Sequence, residues 1–542
     1  MKVPTQSPTK TPNVRKNGNI EDIEAYVAQM EAIGMIEGYS TCHEMNDFYV
    51  NYYSGLFDGG DPMPDTIDFL VDNHEWMKKQ ADKYYKTDDY WLVVKGLLAQ
   101  LKGIVAGLQS GCPGSSGINT DDEDLHTIPN LRNLAKRPSL AHMLLLNANG
   151  DLYQIAEKYH QKDSAPSKDD DNDTPTETMS LTKRLGRSGK GPSLGGGTRS
   201  TGVDHCSVLI KLLDDRSDTI FAHNTWDDFQ CAAPRIIKHY TYPLMKNGKN
   251  MGTYDIHFSS SPGFLSSIDD FFVVMGHTKF FVTETTFDLY NEDLLQMVQP
   301  ESMLSWMRAR LASELASSAA EWADYFTQYH SGTYDNEWMV LDFSRFRPGM
   351  DPADGFLYVI EEVPGYVHRE DMTSKLIADG YWASYNNPYF TDIREISGNE
   401  ALCRQDPNFC HDTDPRAKIF KEHQHEVVDI ESMKKMIAYN HWQTDLLSNN
   451  DSCSSISCRQ DLEPIEANKY PFGATDAKVS SVISASSTVP NIYTRLGPTH
   501  DDQTPFCWNV FDEKYRNLRG KHFSHVGHPD CFDFNWEVMP PR

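Results

Sequence analysis

Asp204-His205-Cys206-Ser207-Val208-Leu209-Ile210-Lys211 is the stretch on which the reading of this chain turns. A long run with nothing to pack lies before it, and a β pattern begins after it. Cys206 stands at the junction. Cutting the bond after His205 would make Cys206 the first residue of a new chain. An α-amine titrates at about 8, close enough to neutrality to take the proton of its own thiol. Nucleophile and base would then arrive on one residue. A lone cysteine in a strand is ordinarily a small buried hydrophobe. Its place at the junction of linker and strand argues for more.

Upstream, residues 161–205 are rich in Asp, Ser, Thr and Gly. They carry an acidic run (Asp169, Asp170, Asp171, Asp173), a basic cluster (Lys183, Arg184, Arg187, Lys190) and Gly195-Gly196-Gly197. Such a segment is solvated and open to proteases, so it is read as a linker or propeptide. It separates an N-terminal part, 21–160, from a larger C-terminal part, 206–542, that starts at the nucleophile. Residues 1–20 are polar and rich in Pro and Lys, as in a disordered tail. Within the N-terminal part, Ile23, Tyr26, Val27, Met30, Ile33 and Ile36 predict a helix over 21–40. Val94, Leu97, Leu98, Leu101, Ile104, Val105 and Leu108 predict a more apolar helix over 91–108, stopped by the Gly/Ser/Pro cluster 110–117. Residues 140–146 form a buried segment ahead of a turn at Asn149-Gly150.

Downstream, 208–213 and 219–222 are expected to be strands joined by a turn at 214–218. A helix is expected over 235–240. A second hairpin, 271–275 with 279–285, turns at Gly276-His277. The apolar face Leu304, Met307, Leu311, Leu315, Ala319, Trp322 and Phe326 predicts one helix over 301–328. Apolar strands follow at 338–343 and 356–363. Runs of strands with helices set apart predict an α+β fold.

Composition narrows the function. The 542 residues are 39% hydrophobic and 11% aromatic, enough for a substantial core. Acidic residues outnumber basic ones, 78 to 50, for a formal charge of −28. A nucleic-acid partner would want a basic face, so none is expected. The acidic balance suits work at low pH, where protonation relieves self-repulsion, and equally suits plain solubility. No apolar run approaches the roughly 20 residues a membrane span needs, so no transmembrane segment is expected. Met1-Lys2-Val3-Pro4-Thr5 lacks the apolar core of a signal peptide. Against that, Asn450-Asp451-Ser452 and Asn172-Asp173-Thr174 are glycosylation sequons, and Cys453/Cys458 and Cys403/Cys410 are close pairs of the kind found in secreted chains.

Other chemistry-bearing residues cluster around the same reading. His223-Asn224-Thr225-Trp226-Asp227-Asp228 closes the hairpin that Cys206 opens, so His223 could orient the amine or bind substrate; a polar hairpin edge is the plain alternative. Thr283-Glu284-Thr285-Thr286 ends a strand with hydroxyls that could hold the new amine. Asn386, in Tyr385-Asn386-Asn387-Pro388, has an amide suited to an oxyanion, and a bare turn would look the same. Arg416, in Pro415-Arg416-Ala417, is a cation in an acidic chain, or an ordinary surface arginine. Gly191-Pro192-Ser193-Leu194-Gly195 matches the serine-hydrolase elbow but lacks a strand before it and a helix after it. His522, His525, His528 and Cys531 have metal-like spacing, for which a His-rich loop is the ordinary explanation. No metal ligand set is assigned and no cofactor is expected; no phosphate-binding or dinucleotide-binding glycine pattern occurs in a strand–turn–helix setting.

Taken together, these motifs resemble the phospholipase B-like family. The series runs through His205 to Lys211 and His223-Asn224-Thr225-Trp226. It continues with Ser259-Ser260-Ser261-Pro262-Gly263, Glu284-Thr285-Thr286, Trp338-Met339-Val340-Leu341-Asp342 and Tyr381-Trp382-Ala383-Ser384-Tyr385-Asn386. Pro415-Arg416-Ala417, Tyr470-Pro471-Phe472 and Gly497-Pro498-Thr499 extend it, and Glu37-Gly38-Tyr39 and residues 144–151 carry it upstream. Ser261 stands where the family usually has Tyr. The resemblance implies an N-terminal-nucleophile hydrolase with an αββα sandwich, lysosomal or secreted, autocatalytically cut before Cys206 into two fragments that stay associated. It implies Cys206 as nucleophile, with His223 and Trp226 lining the site, Thr285 near the amine, Asn386 at the oxyanion and Arg416 as a polar site residue. The implied activity is release of acyl chains from phospholipids. An amidase acting on N-acyl amides or acylated peptides stays open, as does a processed lipid-binding protein with little turnover, and so does assembly as a homodimer.

Overall fold

The computed structural model describes residues 19–57, 62–112, 134, 138–163, 206–267, 269–487, 489–501, 503–519 and 523–539. The expected tail, most of the linker with its Gly191–Gly195 motif, the sequon at Asn172, most of the cluster 110–117 and His205 lie outside the described residues.

Among the described residues, six helices precede the sheets: α1 (Ile20–Ser40), α2 (Cys42–Phe57), α3 (Pro64–Tyr84), α4 (Asp89–Gly111), α5 (Leu140–Asn147) and α6 (Leu152–Asp163). Asn19 caps α1 by accepting the Glu21 N–H at 3.1 Å, and Asp88 caps α4 through the Tyr90 N–H at 2.8 Å. These two helices pack backbone to backbone. A methyl group on Gly34 would overlap the Gln100 carbonyl oxygen, one on Gly38 that of Ile104, one on Gly103 that of Glu31 and one on Gly107 that of Met35. At 23 residues, α4 is long and apolar enough to cross a membrane, which the sequence reading did not anticipate. Val93, Leu97, Leu101 and Ile104 are nevertheless fully buried in the protein core.

Two antiparallel sheets follow. Fourteen strands make them up: β1 (Cys206–Leu212), β2 (Thr219–Asp228), β3 (Ile236–Lys246), β4 (Lys249–Ser260), β5 (Phe271–Gly276), β6 (Phe280–Thr286), β7 (Asn336–Asp342), β8 (Leu357–Val363), β9 (Tyr366–Asp371), β10 (Tyr381–Ser384), β11 (Phe472–Ala474), β12 (Asp476–Ser481), β13 (Ile492–Leu496) and β14 (Glu537–Met539). One sheet runs β10-β1-β2-β12-β13-β14, with β11 also paired to β2; the other runs β3 through β9 in order. Side chains alternate between the faces of a strand, and both faces here are covered. Phe221 of β2 stacks on Phe281 of β6 with ring centroids 3.9 Å apart, so the sheets meet face to face. On the opposite face of the first sheet, Leu209, Ile220 and Ala222 pack with Ile419, Phe420, Met433 and Ile437 from the helices Pro415–His423 and Ile430–Ile437. The second sheet is covered by the N-terminal helices and by α7 (Ser305–Leu315) and α8 (Ala319–Phe326). Tyr26 of α1 meets Tyr242 of β3 edge to face, and Arg310 of α7 lies over the Tyr240 ring at 5.1 Å. The α+β expectation holds, as helix, sheet, sheet and helix in four layers.

Two local expectations fail. Of residues 235–240, expected to be helical, 236–240 belong to β3. Lys238, Tyr240 and Tyr242 are buried while His239 and Thr241 are exposed, a period of two that the adjacent Ile236-Ile237 pair conceals. The single helix expected over 301–328 is two. Ala316 and Ser317 interrupt it, and Ser318 caps α8 by accepting the Glu321 N–H at 3.2 Å. The expected strands β1, β2, β5 to β8 and the helices α1 and α4 are all present. Both close cysteine pairs form disulfides, Cys403–Cys410 and Cys453–Cys458, joined by Cys42–Cys112 and Cys507–Cys531. Cys206 and Cys231 keep their thiols.

Candidate active site

β1 opens at Cys206, directly opposite Thr225 of β2, and Val208 lies opposite His223. Alternation therefore turns Cys206, Val208, His223 and Thr225 to the face shared with Phe221, inside the sandwich. Cys206 is 1% exposed. Its Sγ, a ring nitrogen of His223 and a carboxylate oxygen of Asp270 all lie within 4.8 Å of one another. His223 Nε2 and Asp270 Oδ1 are buried and lack a hydrogen-bond partner among the described residues.

The electrostatics of this trio follow from burial. Desolvation holds the His223 imidazole well below its usual range, and the positive charge of Lys478 lowers it further. His223 is thus neutral at physiological pH. Lys478 itself is fixed by Asp476 at 2.7 Å and donates to Thr225 Oγ1 at 2.9 Å. Asp270 sits just before β5 with φ 51°, a region where Asp is tolerated better than most residues. Burial raises its carboxyl to about 7. Tyr334 Oη donates to Asp270 Oδ2 at 3.3 Å.

The backbone nitrogen of Cys206 has its own holder. It donates to Asn386 Oδ1 at 3.0 Å. Asn386 lies in the turn after β10 with φ 67°, its Nδ2 donates to the Thr286 carbonyl at 2.5 Å, and its N–H reaches Thr285 Oγ1 at 3.5 Å. Thr285 in turn lies 2.5 Å from Ser384 Oγ. Arg416, buried at the start of the helix Pro415–His423, joins the strands from the other side. Its Nη1 donates to the Cys206 carbonyl at 2.7 Å and to Asn386 Oδ1 at 2.8 Å, and its Nη2 donates to the Tyr385 carbonyl. Its guanidinium lies over the Trp226 ring at 4.6 Å. Trp226 Nε1 donates to Asn224 Oδ1 at 2.9 Å, which also accepts the Ser207 N–H at 3.1 Å.

All six candidates from the sequence, Cys206, His223, Trp226, Thr285, Asn386 and Arg416, meet around one strand end. Thr285 is one hydrogen bond removed, through Asn386. Sequence reasoning missed Asp270, Tyr334 and Lys478. The only local signal for Asp270 is its position beside Asp269 ahead of an apolar strand, too common a pattern to single it out. Of the C-terminal group with metal-like spacing, His522 lies outside the described residues and Cys531 is in a disulfide. His525 stacks on Trp508 at 4.5 Å, and His528 Nδ1 accepts from the Trp508 indole at 3.2 Å.

Fold and site together define a layered α+β protein in which β1 begins at a buried cysteine outside the disulfides. The Phospholipase B family model matches residues 14–539. Phospholipase B-like 1 of Rattus norvegicus is 33% identical over 510 residues, covering 94% of this chain and 81% of the relative. Phospholipase B-like 1 of Homo sapiens is 33% identical over 514 residues, with the same coverage. Phospholipase B of Crotalus adamanteus is 30% identical over 518 residues, covering 94% of this chain and 82% of the relative. This chain belongs to the phospholipase B family.

Proposed function

We propose that this protein is a lipid hydrolase that releases acyl chains from phospholipids, with Cys206 as an N-terminal nucleophile exposed by autocatalytic cleavage after His205. One observation carries the reading: the first residue of β1 offers both its thiol and its nitrogen to polar partners inside a sealed site. The names of the relatives support lipid hydrolysis as the activity.

In the uncut chain the Cys206 nitrogen is an amide and cannot serve as base. Neutral His223 is then the base available to the thiol, and Asp270 stands where it can steady the imidazolium that forms. The thiolate attacks the His205 carbonyl; the peptide C–N bond breaks, nitrogen takes the proton, and a thioester remains. Water hydrolyses that thioester, leaving a carboxylate on His205 and a free thiol and amine on Cys206. In turnover the amine takes the thiol proton and sulfur attacks the acyl ester. The alcohol leaves with that proton, and water releases the fatty acid. Asn386 holds the amine through Oδ1, a different task from the oxyanion contact expected from sequence, since its Nδ2 is engaged by Thr286. Arg416 fixes Asn386 and the Cys206 carbonyl relative to each other, Trp226 covers the guanidinium, and Thr285 supports the Asn386 turn.

Intact mass and N-terminal sequencing after acid incubation test this. The expected result is a fragment beginning at Cys206, absent in Cys206→Ala, together with labelled acyl chain trapped on that residue. A normally cut and active Cys206→Ala protein, or cuts confined to the region of Lys183-Arg184, would overturn it.

A further inference from the structure

Two glutamates that the proposed chemistry does not use meet inside the sandwich. Glu337 of β7 lies directly opposite Glu361 of β8 and, on its other side, opposite Thr285 of β6. Leu341, on the same face of β7 as Glu337, lies opposite Phe281. Both carboxyls therefore point toward the first sheet, as Phe281 does. Glu337 is 2% exposed and Glu361 is fully buried.

The pair holds the segment that carries Asn386. Before the turn, Trp382 Nε1 of β10 donates to Glu337 Oε1 at 2.8 Å. After the turn, the Tyr389 N–H donates to Glu361 Oε1 at 2.5 Å and the Phe390 N–H to Glu361 Oε2 at 3.0 Å. The Asn386 turn is thus gripped at both ends. Between the grips, the Asn386 N–H reaches Thr285 Oγ1, and Asn386 Oδ1 accepts the Cys206 N–H.

Among the described residues, the cations around this segment are committed elsewhere. His368, directly opposite Glu361 on β9, has its Nδ1 2.7 Å from Asp392. Arg394, on the helix Thr391–Ser397, donates to the Pro388 and Tyr389 carbonyls and pairs with Glu400 at 3.4 Å. Lys375 pairs with Asp379 at 2.8 Å, and His411 with Asp412 at 3.0 Å. Arg416 is held by Cys206, Asn386 and Tyr385. The side chains that β6 and β10 turn to this face, Thr285, Trp382 and Ser384, are uncharged. Two carboxylates facing each other in such a site would repel. Burial raises both above their usual range, and the Glu337 charge raises Glu361 further. Both Glu361 oxygens already accept an N–H, which suits the ionised form. Glu337 has one oxygen under the Trp382 indole and a second to carry a proton toward Glu361.

We propose that Glu337 and Glu361 share one proton, carried on Glu337 and donated to Glu361, and that this pair positions the Asn386 turn against the Cys206 nitrogen. Both are positioning residues, acting through Asn386. Loss of the shared proton sets two charges face to face and releases the Tyr389 and Phe390 N–H groups. A carboxyl raised by folding contributes stability that is complete at low pH and lost as pH rises through the raised value, so the turn loosens toward alkali. The bearing on catalysis rests on the reading of Cys206 as an N-terminal nucleophile; the hold on the turn does not.

Hydrogen exchange on the full chain, read by mass spectrometry over residues 381–390 and corrected for the intrinsic pH dependence of exchange, tests the pair without turnover or cleavage. Wild-type protection at Tyr389 and Phe390 should hold in mild acid and fall by up to about tenfold per pH unit once the pair ionises. Glu337→Gln offers Glu361 an N–H that cannot ionise, so protection should persist into alkali. Glu361→Gln takes an acceptor from the two N–H groups, so exchange should be faster than in the wild type throughout. The alkaline limb of kcat/KM on a labelled phospholipid should move to higher pH in Glu337→Gln. Absence of all turnover would count against the hydrolase reading alone, and exchange would still decide the pair. Wild-type protection indifferent to pH, an alkaline loss in Glu337→Gln equal to that of the wild type, or Glu361→Gln as well protected as Glu337→Gln would overturn the proposal.

Discussion

At the scale of single residues, His223 gives the sharpest handle on the proposed maturation. Its imidazole is held well below the usual range by burial and by Lys478. A base whose pKa is lowered stays deprotonated, and hence competent, further into acid. The rate of precursor cleavage should therefore hold as pH falls through 6.5 and drop only at clearly lower values, followed by gel densitometry on freshly desalted precursor. His223→Gln should slow that cleavage by about 100-fold or more, the scale of a lost general base; an unchanged rate would remove His223 from the mechanism. The sequence made His223 visible because it lies only seventeen positions after Cys206, across one hairpin. Asp270 was not visible. It reaches the thiol through the pairing of the second sheet and through face-to-face packing, and neither leaves a mark in the residues beside it.

At the scale of elements, α1 and α4 pack backbone to backbone. Glycine in a helix interior ordinarily costs about 1 kcal/mol relative to alanine. At Gly103 the sign should reverse, since a Cβ there has no room against the Glu31 carbonyl. Gly103→Ala should destabilise the protein by about 1–3 kcal/mol, the usual cost of overpacking, seen as a lower urea midpoint with an unchanged slope. Equal or higher stability would mean the two helices can move apart freely. The apolar spacing of both helices was plain in the sequence, but their mutual contact was not. Periodicity reports which face is buried and is silent on what it is buried against. The interrupted helix at Ala316-Ser317-Ser318 shows the same limit: apolar spacing continues across the break, and only the Ser318 cap marks the new start.

At the scale of the whole molecule, buried ionisable groups set an opposed pair of pH responses. Burial raises Asp151 to about 6 and Glu314 to about 7, and lifts Asp335 and Glu361 well above their usual range. Groups with raised folded pKa values contribute stability that is complete at low pH and is lost as pH rises through those values. Burial lowers His74, His330 and His528 to about 4. Their contribution is complete above 6.5 and is lost as pH falls toward 4. Above pH 6.5 only the carboxyls still act, so Tm should fall steadily from pH 6.5 to 8 in a scanning-calorimetry series; a flat or rising Tm over that interval would contradict the buried carboxyls as drawn. Between 4 and 6.5 the two sets partly cancel. The ten cysteines carry a further consequence. Cys42–Cys112 lies wholly before residue 206, and the other three disulfides lie wholly after it, while a single apolar core draws side chains from both sides. Once the proposed cut is made, what began as one string becomes a pair held without any covalent tie. Refolding then turns from an internal search into an encounter, and dilution, which is of no account to the newly made chain, decides whether a mature molecule that has come apart is ever whole again.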